Sequence, residues 1–309
     1  MKRGFWIFAL LPILIFLAVP SHAASRDTLR ISGWKLPFNL PVMVELERGA
    51  YEKSFPEFNV SIVDMRSGPN LMAALAAGEI DIAQGIGDAA FLVAASAGID
   101  ARVIAVNSRS PKAFAVVSNS PDVKKISDLK GKKVAGLRGS VVHEVFLSAL
   151  SEEGMTEADV EFFPMPLANA ASALLAGRAD AALLVGSDIL KALKAGAVVL
   201  ADGEGRVRGL SFVVVRSATL REHPEVVSRF IEMRRGTLDY MKSNPETALE
   251  IAARDTKQEA SDIASIMALY DFDFAVTSAD VDSLAKTKKY LMDNKIIRED
   301  VDIPSLFAK

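Results

Sequence analysis

A stretch of sequence that recurs about 100 residues later constrains this chain more than any other feature. Ala74–Ala83 and Ala173–Ala182 share the pattern Ala-Leu-x-Ala-Gly-x-x-Asp-x-Ala, an offset of 99 residues (Gly177 against Gly78). At the same offset Asn70 matches Asn169 and Gly87 matches Gly186. Phe114-Ala115-Val116-Val117 matches Phe212-Val213-Val214-Val215 at 98, and Leu29–Ser32 with Gly33 matches Lys132–Leu137 near 103. Several matches in order at nearly one spacing imply two copies of one folding unit.

Each copy reads as alternating strand and helix. In the first, the strands are Leu29–Ser32, Asn59–Met65, Ile80–Gln84 and Arg102–Val106. Helices lie between them over Pro41–Ser54, Pro69–Ala77 and Ala89–Ala97, with Gly78 stopping the second. The second copy gives Val134–Leu137, Val160–Pro164, Ala179–Val185 and Val198–Ala201, with helices over Val141–Glu153, Ala168–Ala176 and Asp188–Lys194. This alternation predicts an α/β protein with two mostly parallel sheets and right-handed crossovers. Pro224 and Pro245 open helices in a mainly helical tail that runs to Ile296.

The N-terminus gives an address. Lys2 and Arg3 precede an apolar run from Phe5 to Val19, which is shorter than the roughly 20 residues a spanning helix needs. Small residues at Ser21 and Ala23 complete a secretory signal peptide over residues 1–23. Removing it leaves 34 basic against 39 acidic side chains. The expected mature chain is a soluble, mildly acidic periplasmic protein. The chain has no cysteine, which excludes disulfides, thiolate metal sites, a cysteine nucleophile and an N-terminal lipid. No long basic run exists, so nucleic acid is not an expected partner. His143 and His223 are the histidines left after cleavage, too few for a paired-histidine zinc site. No phosphate loop occurs, and Gly203-Glu204-Gly205 with Gly209 misses the dinucleotide spacing by one residue. Neither a metal nor a cofactor is expected.

In open parallel sheets, binding loops gather at the carboxyl ends of the strands, where helix N-termini also point. Two sheets facing each other across one cleft would therefore bring matched loops together. After the first strands come Trp34, Lys35 and Phe38 in one copy and Arg138, Gly139 and Ser140 in the other. Ser67, Gly68 and Asn70 follow the second strand of the first copy, opposite Asn169. Gly87 and Asp88 follow its third strand, opposite Ser187 and Asp188. Free amides beyond Gly139, with Ser140 and Arg138, suit an anionic group, although a plain capped helix fits the same residues. His143 sits one turn into that helix, as a ligand contact or a satisfied polar residue. Asp88 and Asp188 are able to meet an amine or to cap their helices. Trp34 and Phe38 could cover an apolar part of the ligand or anchor their loop. Asp271 and Asp273 alternate with Phe272 and Phe274, as in an edge segment with one buried face, from which Asp271 could reach the cleft.

At these residues the chain resembles the periplasmic substrate-binding proteins of ABC transporters, in the group that binds sulfonates, nitrate, taurine and thiamine precursors. The resemblance rests on Leu75–Ala83, Gly87-Asp88, Ser127–Ala135, Gly139-Ser140 and Ala176–Ala181, and extends from Leu29 to Leu306. It implies the type II periplasmic-binding-protein fold, two lobes joined by two crossovers around a central cleft. Lobe one would hold residues 24–110 and 208–309, and lobe two residues 111–207, with crossovers near Ser108–Lys112 and Gly203–Gly209. It also implies a monomer that closes on a small-molecule ligand and delivers it to the membrane permease of an ABC importer. Two departures fall at the cleft. Leu184–Asp188 stands where sulfonate binders tend to carry a Trp-Glu/Asp-Pro segment, and Ala89-Ala90 where proline often follows the Gly-Asp pair. An exported enzyme or a ligand sensor on the same scaffold is the alternative expectation.

Overall fold

The computed structural model describes residues 27–65 and 67–308. The apolar N-terminal segment and its expected cleavage site lie outside them. Strands β1 (Thr28–Ser32), β2 (Asn59–Val63), β3 (Ile82–Gly87) and β4 (Ala101–Arg109) precede β5 (Phe114–Ser118) and β6 (Lys133–Gly136). Then come β7 (Glu161–Pro164), β8 (Ala181–Val185), β9 (Val198–Asp202) and β10 (Leu210–Arg216). They form two five-stranded sheets, in the orders β2-β1-β3-β10-β4 and β7-β6-β8-β5-β9. In each sheet the first three strands are parallel, and the fourth, β10 or β5, runs antiparallel to both neighbours. Every residue of β10 from Leu210 to Val215 is buried, the pattern of a strand covered on both faces.

The helices of the first copy are α1 (Leu40–Glu47), α2 (Ala50–Ser54), α3 (Gly68–Ala77) and α4 (Asp88–Ser96). Those of the second are α5 (Val141–Glu152), α6 (Leu167–Leu175) and α7 (Ser187–Lys194). The expected single helix over Pro41–Ser54 is broken between α1 and α2, because Gly49 turns left-handed at φ +58°, a conformation that favours glycine. Gly78 ends α3 at φ +74°, as its position implied. The third strand starts at Ile82, two residues later than the pattern suggested. Asp81 is held instead in a reciprocal clasp: its amide donates to the Arg30 carbonyl at 2.8 Å, and its carboxylate accepts the Arg30 amide at 2.9 Å. Asp180, its counterpart in the repeat, holds Lys133 in the same way, with both bonds at 2.9 Å. The shared Gly-x-x-Asp motif therefore fastens the first strand of each copy to the third.

The tail adds α8 (Ser217–Glu222), α9 (Pro224–Ser243), α10 (Pro245–Thr256), α11 (Ala260–Met267) and α12 (Ser278–Asp293). Pro224 and Pro245 each occupy the first helical turn. The segment 271–274 lies along the free edge of β4, where Asp271 and Arg109 exchange both backbone bonds. Asp271 and Asp273 are exposed, Phe272 and Phe274 half-buried. None of the described helices is long and apolar enough to cross a membrane.

The chain passes between the sheets twice, from β4 to β5 and from β9 to β10. The passages touch: the Ser110 amide bonds to the carbonyls of Arg208 and Gly209. A Cβ on Gly209, at φ +60°, would lie 2.7 Å from the Ser110 carbonyl oxygen, so only glycine fits. One buried carboxylate from α12 holds both passages. Asp280 accepts from Arg109 Nε at 2.9 Å and Nη2 at 2.6 Å, and from Arg208 Nε at 2.7 Å.

Candidate binding cleft between the two sheets

The carboxyl ends of both sheets converge on the crossovers and leave a cavity of about 400 Å³. Ser108, Ser110, Gly209 and Ser211 of the crossovers border it. Leu36 and Pro37 after β1, Gly85 and Gly87 of β3, and Gly186, Ser187 and Asp188 at the start of α7 form its sides. Gln258, Ile266 and Tyr270 close it. Among the described residues lining this cavity, Asp188 alone is charged, and Lys191 pairs with it at 2.9 Å. The space is thus furnished with uncharged polar groups, namely serine hydroxyls, an amide side chain, a phenol and the first amides of a helix, although the Ser110 hydroxyl already donates to the Gly209 carbonyl.

A buried polar network stands beneath the serines. Ser108 and Ser211 join their hydroxyls at 2.7 Å, and the Asn107 side-chain nitrogen donates to Ser211 at 3.3 Å and to Asn39 at 2.8 Å. Below Asn107 the fully buried Arg234 donates to Glu45 at 2.6 Å and to Gln84. Gln84 in turn bonds to both the carbonyl and the hydroxyl of Ser32. Within this network the buried charges of Arg234 and Glu45 are paired, as a low-dielectric interior demands.

The other side of the cleft is shut. Asp88 opens α4 in one lobe, and Glu144 lies in the first turn of α5 in the other. Burial pushes Asp88 up to about 6 despite bonds from the Ala89 amide and the Thr287 hydroxyl. Burial, then the charge of Asp88, pushes Glu144 up to about 7. One Glu144 carboxyl oxygen is buried without a hydrogen-bond partner. Beside it, buried His143 takes the Gly139 amide on Nδ1 at 3.3 Å, which places its proton on Nε2, 2.6 Å from Glu157. Tyr290 of α12 lies 2.8 Å from the same Nδ1. Burial lowers the His143 pKa, so the neutral ring joins α5 to α12.

The remaining expected contacts are distributed around this arrangement. Gly87, Ser187 and Asp188 line the cavity. Ser140 caps α5 at 3.3 Å, and Gly139 packs where a Cβ would meet Ile296 at 3.1 Å. Arg138 pairs with Glu157 at 2.5 Å and lies over the Phe162 ring. Ser67 caps α3 through the Asn70 amide, and a Cβ on Gly68 would lie 3.4 Å from Ala90 Cβ. Trp34 packs on the core of its lobe, Lys35 pairs with Asp255 at 3.0 Å, and Phe38 lies in the turn Pro37–Asn39. Asn169 borders a separate cavity on lobe two. Asp271, 62% exposed, faces Arg109 at 3.6 Å outside the cleft. Ser108, Ser110, Ser211, Gln258, Tyr270 and Glu144 were not singled out from sequence. The serines had a signal, since small polar residues flank both expected crossovers; Gln258 and Tyr270 had none.

The described residues contain no group of His, Asp or Glu arranged to hold a metal ion.

Comparison with known proteins agrees with this architecture. A putative aliphatic sulfonates-binding protein of Bacillus subtilis is 27% identical over 260 residues, covering 81% of this chain and 77% of the relative. Its counterpart in Escherichia coli is 37% identical over 155 residues, about half of each protein. The crystal structure of the periplasmic aliphatic sulphonate binding protein SsuA from Escherichia coli superposes with a TM-score of 0.83 at 25% identity, covering 92% of both chains. The desulfurization enzyme DSZB shares the fold at a TM-score of 0.71 and 15% identity. The family model described as NMT1/THI5 like matches residues 39–248. This chain belongs to the NMT1/THI5-like family.

Proposed function

We propose that the protein is a periplasmic solute receptor of an ABC importer that captures a small organosulfonate and closes its lobes over it. The observation that carries this reading is the uncharged donor set of the cleft, four serines and the first turn of α7, gathered from both lobes. A sulfonate spreads one charge over three oxygens, so several neutral hydroxyls and amides suit it better than one fixed cation. The relatives named as sulfonate binders support the same ligand class. Ligand held at the crossovers would be gripped by loops of both sheets, and closure would follow from contacts that only the closed form makes. Hand-over to a membrane permease, in the periplasm and as a monomer, completes the role. No catalytic step is assigned.

Calorimetry against ethanesulfonate, taurine, nitrate and sulfate tests the reading. A sulfonate is expected to bind with micromolar affinity, about 8 kcal/mol, and to be recovered chemically unchanged. Selective binding of nitrate or sulfate, or conversion of the sulfonate to product, would overturn it.

A further inference from the structure

A second and larger cavity, of about 700 Å³, lies beside the cleft between α9, α10, α11 and the segment 270–274. Leu238, Met241, Leu249, Met267 and Phe272 line it, with the exposed charged residues Arg235, Asp239, Lys242, Asp271 and Asp273 around them. An oily interior behind a charged border suits a hydrocarbon whose other end is polar, and methionine adapts to chains of varied shape.

The two cavities share a wall. Tyr270 borders both. Along α11, Ile266 faces the cleft and Met267 the larger cavity; in the stretch after β1, Pro37 faces the cleft and Leu40 the larger cavity. The Tyr270 ring stacks on Phe272 with centroids 6.1 Å apart. Its hydroxyl forms no hydrogen bond among the described residues and lies 3.7 Å from where a Cβ on Gly186 would sit. The ring is held by this stacking and by packing on the core of α1, α10 and α11, with its hydroxyl at the junction.

We propose that this cavity is the tail chamber of the cleft. The sulfonate head lies among the serines, and an alkyl or aryl chain passes Tyr270 to lie against Met241 and Met267. This inference rests on the reading of the cleft as a sulfonate site and narrows the ligand to sulfonates with a long apolar part.

Calorimetry with ethanesulfonate and octanesulfonate separates the two ideas, on the parent protein and on Ala264→Phe. Ala264 is an exposed residue lining the chamber and not the cleft. Burial of one methylene is worth about fourfold in affinity, so octanesulfonate should bind at least about thirtyfold tighter than ethanesulfonate. It should bind one per protein and be displaced by ethanesulfonate. In Ala264→Phe the advantage should shrink to about threefold or less, with ethanesulfonate affinity unchanged within about twofold. An advantage retained in the variant, an equal loss for both ligands, a second octanesulfonate per protein or a failure to compete would each overturn the chamber. Failure of ethanesulfonate to bind the parent protein would instead overturn the cleft reading, and the chamber with it.

Discussion

Asp88 and Glu144 show what burial does to a single side chain. They face each other from helices of opposite lobes, and both keep their protons to higher pH than in an unfolded chain, from 3.8 to about 6 and from 4.5 to about 7. A raised carboxyl means that the folded protein binds the proton more tightly. The stability it contributes is therefore fully present below the unfolded value and is lost as pH rises through the folded one. For Asp88, nearly inaccessible to solvent, the shift is worth at most about 3 kcal/mol. Asp88→Asn combined with Glu144→Gln is expected to raise the melting temperature at about pH 8 and change it little at about pH 4. An equal rise at both would mean that packing, not ionisation, is responsible. Asp88 was legible in the sequence as a helix-start acid, because capping is a local matter. Glu144 was not, since its meaning depends on a residue 56 positions away in the other lobe and on being buried. Arg138 illustrates the converse: its position before a helix suggests an anion contact, but Glu157 and Phe162, which the chain brings back beside it, engage the guanidinium.

Among elements, the repeat carried most of the information. The pattern places the strands and helices of the second copy within two residues of where they form, because each strand is a short apolar run and each helix ends at a glycine or a cap. Phe114–Val117 and Phe212–Val215 are equivalent in sequence, yet β5 pairs in the second sheet and β10 in the first. Each copy thus lends its fifth strand to the other, which similarity between the copies cannot by itself reveal. The paired aspartates were visible only as a motif, and the structure gives them a purpose. Asp81 is 5% exposed and is also reached by Arg216 and Thr219, whereas Asp180 is half-buried and holds only the Lys133 end of its strand. Hydrogen bonds to a charged group contribute about 1.5–3 kcal/mol each when buried. Asp81→Ala should therefore lower the midpoint of urea unfolding clearly more than Asp180→Ala. Equal losses, or a larger loss at Asp180, would contradict the role of burial in this clasp.

For the whole molecule, the decisive feature is where the two lobes are tied. Both crossovers meet at one carboxylate, Asp280, which is fully buried and receives Arg109 from the first passage and Arg208 from the second. Burial alone would raise this carboxyl, but the bonds from Arg109 and Thr277 outweigh it and hold it well below the ordinary range. Its contribution to stability is present above the unfolded value of 3.8 and disappears as pH falls through the depressed folded value, opposite in sign to Asp88. Asp280→Asn leaves Arg109, 6% exposed, with only the exposed Asp271 at 3.6 Å as counter-charge, and removing one partner of a buried ion pair costs up to about 3–5 kcal/mol. Because α12 also reaches the second lobe through Tyr290 and His143, slackening this tie frees the lobes as well as weakening the fold. The ligand-free variant is expected to show a larger radius of gyration in solution scattering than the parent. Ethanesulfonate should bring the two curves together, since closure adds contacts that do not involve Asp280. Arg208→Ala, which cuts only the tie to the second passage, should give a smaller expansion in the same direction. Unchanged scattering in Asp280→Asn, alongside the expected loss of stability, would confine Asp280 to holding the fold and remove it from the hinge.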